Sequence, residues 1–225
     1  MTRKTNARIA GLTFLLYIAV AFPAMVLSAR ATGGESNVTP LLSIAQHTTG
    51  MRITILLEVL SGFCALVLAV TLYGITHDED RELAMLGFAC RVGEGLAGAL
   101  PLTTLGLLWL ATKAGPSAPD AAGANALAAY LIKVGTWQTI SASLLFAAGS
   151  TVFSYLLLRG RMIPAALAWL GVIGSALLVV ILPLQLAGFA GPISELVWIP
   201  VALFELTLAP WLLIKGVAPA RRQSP

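Results

Sequence analysis

Six apolar runs, each long enough to cross a bilayer, constrain this chain more than anything else in it. They are Ile9–Leu27, Ile53–Ile75, Leu83–Ala111, Tyr130–Leu158, Ala165–Leu186 and Ile193–Ile214. A hydrocarbon core about 30 Å thick takes about 20 helical residues to cross, and a span in lipid must satisfy its own backbone hydrogen bonds. Each run is therefore predicted to be a transmembrane helix. The chain reads as an all-α, polytopic membrane protein with six transmembrane helices in one bundle, a single domain over residues 1–225. Composition agrees, with 11% charged and 58% hydrophobic residues, against about 25% charged in a soluble domain.

The first run starts after basic residues and ends near Ala29-Arg30-Ala31, so a cleaved signal peptide has to be weighed. It is longer than a signal core, and a retained first span is predicted. Orientation follows from the Lys and Arg balance of the loops. With the N-terminus inside, nine basic residues fall on the cytoplasmic side: Arg3, Lys4, Arg8, Arg81, Arg159, Arg161, Lys215, Arg221 and Arg222. Four fall on the other: Arg30, Arg52, Lys113 and Lys133. Six spans then place both termini in the cytoplasm. Trp109, Tyr130, Trp137 and Trp198 fall near the outer interface, and Tyr73, Tyr155, Trp169 and Trp211 near the inner one, which matches interfacial aromatic belts. The net charge of +4 is thus a topology signal, and no nucleic-acid partner is expected. The candidate partners are the lipid bilayer, other membrane proteins, or further copies of the chain.

Between the spans, Thr39-Pro40 reads as an N-cap followed by proline at the first helical position, predicting a short helix through Gln46. His77–Glu82 is an acidic hairpin connection, Lys113–Asn125 a loop rich in Gly, Pro and Ala, and Arg159–Pro164 a basic turn. In the second span, Thr54, Glu58, Ser61, Gly62 and Ala65 make one small, polar stripe that should face the bundle. Ala89, Gly93 and Ala97 make a small-xxx-small ridge on the third, where Pro101 should kink the helix near its outer end.

The third span also carries Arg91-Val-Gly-Glu94. On the insertion scale each such charge costs roughly 2.5–3.5 kcal/mol at the centre of a span, so each needs a partner or a watery cavity. At 1.5 Å per residue, Arg91 lies roughly 12 Å from the inner end of its span, Glu94 roughly 16 Å, and Glu205 of the sixth span roughly 14 Å. The three form one layer if the third and sixth helices are neighbours. Their charges sum to −1, so either a second cation reaches them or one carboxylate holds a proton. Glu58, Glu195, Gln138 and Gln185 form a second layer nearer the outer face and could line an outward-opening vestibule. Lys133 there reads more simply as a snorkelling residue, and Glu195, in the first turn of its helix, suits the helix dipole without any function.

Catalytic patterns are absent from the sequence. His47 and His77 both lie outside the spans, and no span contains an aspartate. There is no Gly-x-Ser-x-Gly, no Gly-rich phosphate loop and no His/Cys cluster at metal-ligand spacing. Neither a metal nor a cofactor is expected, and Cys64 and Cys90 read as buried thiols within apolar spans.

Several local strings, in order along nearly the whole chain, resemble one prokaryotic integral-membrane family, catalogued as domain of unknown function number forty-three eighty-six. They are Ala7-Arg-Ile-Ala-Gly-Leu12, Leu72-Tyr-Gly-Ile75, Arg91-Val-Gly-Glu94, Tyr155-Leu-Leu-Leu-Arg-Gly-Arg-Met-Ile-Pro164, and Glu205 followed by Trp211-Leu-Leu-Ile-Lys-Gly216. The resemblance implies a six-span protein of a prokaryotic plasma membrane and implies no activity. Two functional classes stay open. One is a non-catalytic multi-pass protein that packs, senses or binds partners. The other is a small transporter, or a proton- or anion-handling protein, using the Arg91/Glu94/Glu205 layer. A water-filled cavity reaching that layer would favour the second, and a dry, packed centre the first.

Overall fold

The computed structural model describes residues 2–33, 39–113, 120–189 and 196–218. Every regular element among them is an α-helix. In chain order they are α1 (Arg3–Thr32), α2 (Pro40–Gln46), α3 (Thr48–Thr76), α4 (Arg81–Ala99), α5 (Leu102–Lys113), α6 (Ala121–Arg159), α7 (Ala165–Leu186) and α8 (Trp198–Ile214). Five helical stretches are long and apolar enough to cross a membrane, with α4 and α5 together counting as one. The sixth apolar helix, α8, has 17 residues.

Six of these helices close a ring. α1, α3, α4, α6, α7 and α8 each pack against the next in chain order, and α8 returns to α1. This order places α4 opposite α8 and α1 opposite α6. The ring is tight where small residues let backbones meet, as expected for helices packed without a hydrophobic drive between them. A Cβ added at Gly11 of α1 would sit 2.6 Å from the backbone nitrogen of Leu213 in α8. One added at Gly62 of α3 would meet Ala99 of α4 at 2.6 Å and the Gly95 carbonyl oxygen at 2.7 Å.

One end of the ring is latched by charge. Arg3 lies 3.6 Å from Asp78 and 3.7 Å from Glu79 in the α3–α4 turn, and Arg159 at the end of α6 reaches Asp80 at 3.1 Å. Asp80 also accepts the Leu83 N–H at 3.1 Å as the N-cap of α4. The Ala218 N–H, beyond α8, donates to the Met162 carbonyl at 3.0 Å, so the start of α1 and the segment after α8 share this latch end. The acidic turn is thereby tied to two other helices. At the opposite end α2 packs Leu41 and Ile44 against α5 and α6. α2 runs Pro40–Gln46 with proline at its first position as the sequence predicts, although the Thr39 side chain makes no capping hydrogen bond.

Three expectations need correction. Pro101 does not merely kink the third span. Leu100 leaves helical geometry at φ −113°, ψ 78°, and α4 and α5 are separate helices. The 113–125 loop is shorter than predicted, because Asp120 accepts the Gly123 N–H at 2.9 Å and starts α6 at Ala121, nine residues ahead of Tyr130. The Ala89–Gly93–Ala97 ridge is used only in part. Ala89 is exposed and Gly93 meets Leu145, while Gly95 and Ala99 make the close approach to α3.

Candidate functional site: a charged centre and a separate cavity

Arg91 points into the centre of the ring and is 0% exposed. A guanidinium there must be neutralised, because an isolated charge in low dielectric is costly. Its Nη1 lies 2.8 Å from Oε2 of Glu94, one turn along the same helix. The other Glu94 oxygen, Oε1, accepts the Tyr17 hydroxyl of α1 at 2.9 Å. Both carboxylate oxygens are thus engaged, one by charge and one by a charge-assisted hydrogen bond.

Aromatic rings complete the enclosure. The guanidinium carbon lies 5.0 Å from the Phe146 ring centroid on α6, 5.9 Å from Phe14 and 6.0 Å from Tyr17 on α1. Three ring faces within about 6 Å are the arrangement in which cation–π attraction is strongest, since the cation is desolvated. Among the described residues no guanidinium nitrogen has an aligned hydrogen-bond acceptor. Charge and ring faces therefore hold the group in place of directed hydrogen bonds. Its aliphatic stem runs beside Gly149 of α6, where an added Cβ would lie 3.0 Å from Cγ and 3.2 Å from Cδ.

Glu205 of α8 is 8% exposed and also turns inward, but no ion pair among the described residues joins it to Arg91. The expected adjacency of the third and sixth helices fails for a topological reason: α4 and α8 face each other across the ring. Glu94 is the carboxylate that pairs with Arg91, and Tyr17 of α1 occupies its other oxygen. The sequence reading did not single out Phe14, Tyr17 or Phe146. An aromatic ring in an apolar span looks like ordinary core, and only the buried cation gives it a role.

The second predicted layer divides. Glu58 and Gln185 line one cavity of about 450 Å³ toward the α2 end of the ring. Gln138 instead mends the break between α4 and α5, its Nε2 donating to the carbonyls of Ala97 at 3.1 Å and Leu100 at 3.3 Å. Pro101 has no N–H to offer the Ala97 oxygen four residues back, and Gln138 supplies the missing donor. Lys133 is exposed, and Glu195 lies outside the described residues. Cys64 and Cys90 are both free thiols. Among the described residues no group of three or more His, Cys, Asp or Glu side chains is placed to hold a metal ion.

The family model described as "Domain of unknown function (DUF4386)" matches residues 9–216, nearly all of the described chain. The chain belongs to that family. No curated protein and no solved structure matches it. In this DUF4386 chain, strings far apart in sequence meet in space. Ala7-Arg-Ile-Ala-Gly-Leu12 packs on Trp211–Gly216 through Gly11 and Leu213, and Arg91-Val-Gly-Glu94 fills the middle of the ring.

Proposed function

We propose that this DUF4386 chain is a six-span integral membrane protein of a prokaryotic plasma membrane with both termini cytoplasmic. It works by packing, sensing or partner binding and is non-catalytic. The nine-to-four Lys and Arg bias supports the orientation. So do Trp109 and Tyr130 toward the α2 end and Tyr155 and Trp169 toward the latch end, all well exposed. The sixth span is supported by α8 closing the ring, since its 17 residues reach roughly 26 Å, just short of the hydrocarbon core. Retention of the first span is supported by Ala7, Ala10 and Phe14, which are buried in the main core.

The observation that carries the functional reading is the enclosure of Arg91. It is completely buried among rings, and neither the cavity beside Glu58 nor the groove beside Arg52 is lined by Arg91, Glu94 or Glu205. A relay needs water or exchangeable partners at its charged groups, whereas a dry, paired charge fixes helix register. Proteoliposomes holding the purified chain should therefore show proton and chloride fluxes no greater than empty vesicles. A flux abolished by Glu94→Gln in a variant that still folds would favour the transporter reading instead.

A further inference from the structure

The cavity at the α2 end has no part in the charged centre and has its own chemistry. It is bordered by residues of α1, α3, α5, α6, α7 and α8, and about 450 Å³ is available in it. That lies within the range of roughly 300–1,000 Å³ typical of small-molecule sites. Glu58 is the one ionisable residue in its lining. Its Oε1 accepts the Thr104 hydroxyl at 3.2 Å, while Oε2 is buried with no hydrogen-bond partner among the described residues. A buried carboxylate oxygen without a donor is costly, and the lining has no lysine, arginine or histidine to supply one.

Part of the wall offers only acceptors. Thr32, Thr136 and Thr139 each donate to a carbonyl of their own helix, and Thr104 donates to Glu58. With their hydrogens already used, these four oxygens have only lone pairs left to offer. Ser28, Thr103, Ser143 and Gln185 also line the cavity and can donate or accept, so Glu58 is the one group there able to carry a charge. The remainder of the wall, including Met25, Leu182 and the face of Trp198, is apolar. A bare alkali ion would not use that surface.

We propose that this cavity binds a primary ammonium group attached to a short hydrocarbon, with Glu58 as its counter-ion and the Thr104 side as acceptor lining. The ammonium could belong to a free alkylamine or to the headgroup of phosphatidylethanolamine, which present the same chemistry. The site stands whether or not the Arg91 centre is dry.

The test uses the full chain in a non-ionic detergent, with n-hexylammonium chloride as probe and thermal unfolding as readout. Hexylammonium should raise the unfolding midpoint saturably, and hexan-1-ol and potassium chloride at equal concentration should not. Glu58→Gln should weaken the apparent affinity about ten- to hundredfold, the loss expected for one charge-assisted contact. Should Glu58→Gln fail to fold, Ser143→Phe, which fills the cavity and leaves the carboxylate, should abolish the response. Repeating the titration in phosphatidylcholine nanodiscs with and without phosphatidylethanolamine separates the sources. Competition by the second lipid identifies a headgroup site, and unchanged affinity a site for a free amine. No shift with hexylammonium, an equal shift with hexan-1-ol or potassium chloride, or an undiminished response in folded Glu58→Gln or Ser143→Phe would overturn the proposal.

Discussion

Gly149 of α6 lies directly against the aliphatic stem of Arg91 on α4, so closely that a methyl group there would sit 3.0 Å from Cγ. The charge at the centre of the ring depends on this missing side chain. Gly149→Ala should destabilise the detergent-solubilised chain by about 1–3 kcal/mol through overpacking. In an Arg91→Ala background, where the stem is gone, the same substitution should cost much less. Thermal unfolding of the four proteins gives that coupling, and an equal cost in both backgrounds would show that the stem is not what Gly149 accommodates.

Two glycines in the α3–α4 contact should differ sharply. A Cβ at Gly62 meets Ala99 at 2.6 Å, backbone nitrogen included, whereas one at Gly98 finds nothing closer than 3.8 Å. Gly62→Ala should lose most of the folded protein, and Gly98→Ala should be tolerated. Size-exclusion profiles after mild solubilisation report both.

At the latch end, Asp80 has two roles that can be separated. It caps α4 through Leu83 and pairs with Arg159, whose side chain is about half exposed. Losing a cap costs about 1 kcal/mol, while an exposed ion pair contributes between about 0 and 1 kcal/mol. Asp80→Ala should therefore lower the unfolding midpoint more than Arg159→Ala. Asp80→Asn, which keeps an acceptor for the cap, should resemble Arg159→Ala.

The proposed orientation predicts how reporter fusions behave. Fusions after Asp80, Arg161 and Pro225 should be active only as cytoplasmic reporters, and fusions after Gly34, Gly115 and Gly191 only as external ones. A cytoplasmic signal at Gly34 or an external one at Pro225 would refute it.

The helices were largely legible from the sequence because apolar length is a one-dimensional property. Arg91 and Glu94 were legible as a pair for the same reason, lying one turn apart on one strongly apolar segment. Ring order was not. Chain position does not say that α4 faces α8 across the bundle, nor that Tyr17 of α1 reaches Glu94 while Glu205 makes no ion pair with Arg91 among the described residues. Small residues recur on more than one face of α4, and their spacing does not say which neighbour each face meets: Gly93 meets Leu145 of α6, and Gly95 and Ala99 meet α3. The break at Leu100 exceeds the expected kink because Gln138, on another helix, supplies a donor to the Ala97 carbonyl that proline orphans. No local pattern in the third span reveals such a donor.

If Arg91 and Glu94 form a dry structural pair, a double-mutant cycle on thermal unfolding will reveal their coupling. Arg91→Met alone should cost about 3–5 kcal/mol, because it leaves the Glu94 charge buried without its cation. Adding Glu94→Gln should recover much of that loss, so that the double variant is far more stable than the sum of the single losses implies. Adding Glu205→Gln to Arg91→Met should recover less. Strict additivity of Arg91→Met and Glu94→Gln, or an Arg91→Met protein as stable as the parent, would contradict a buried pair and place the guanidinium in water.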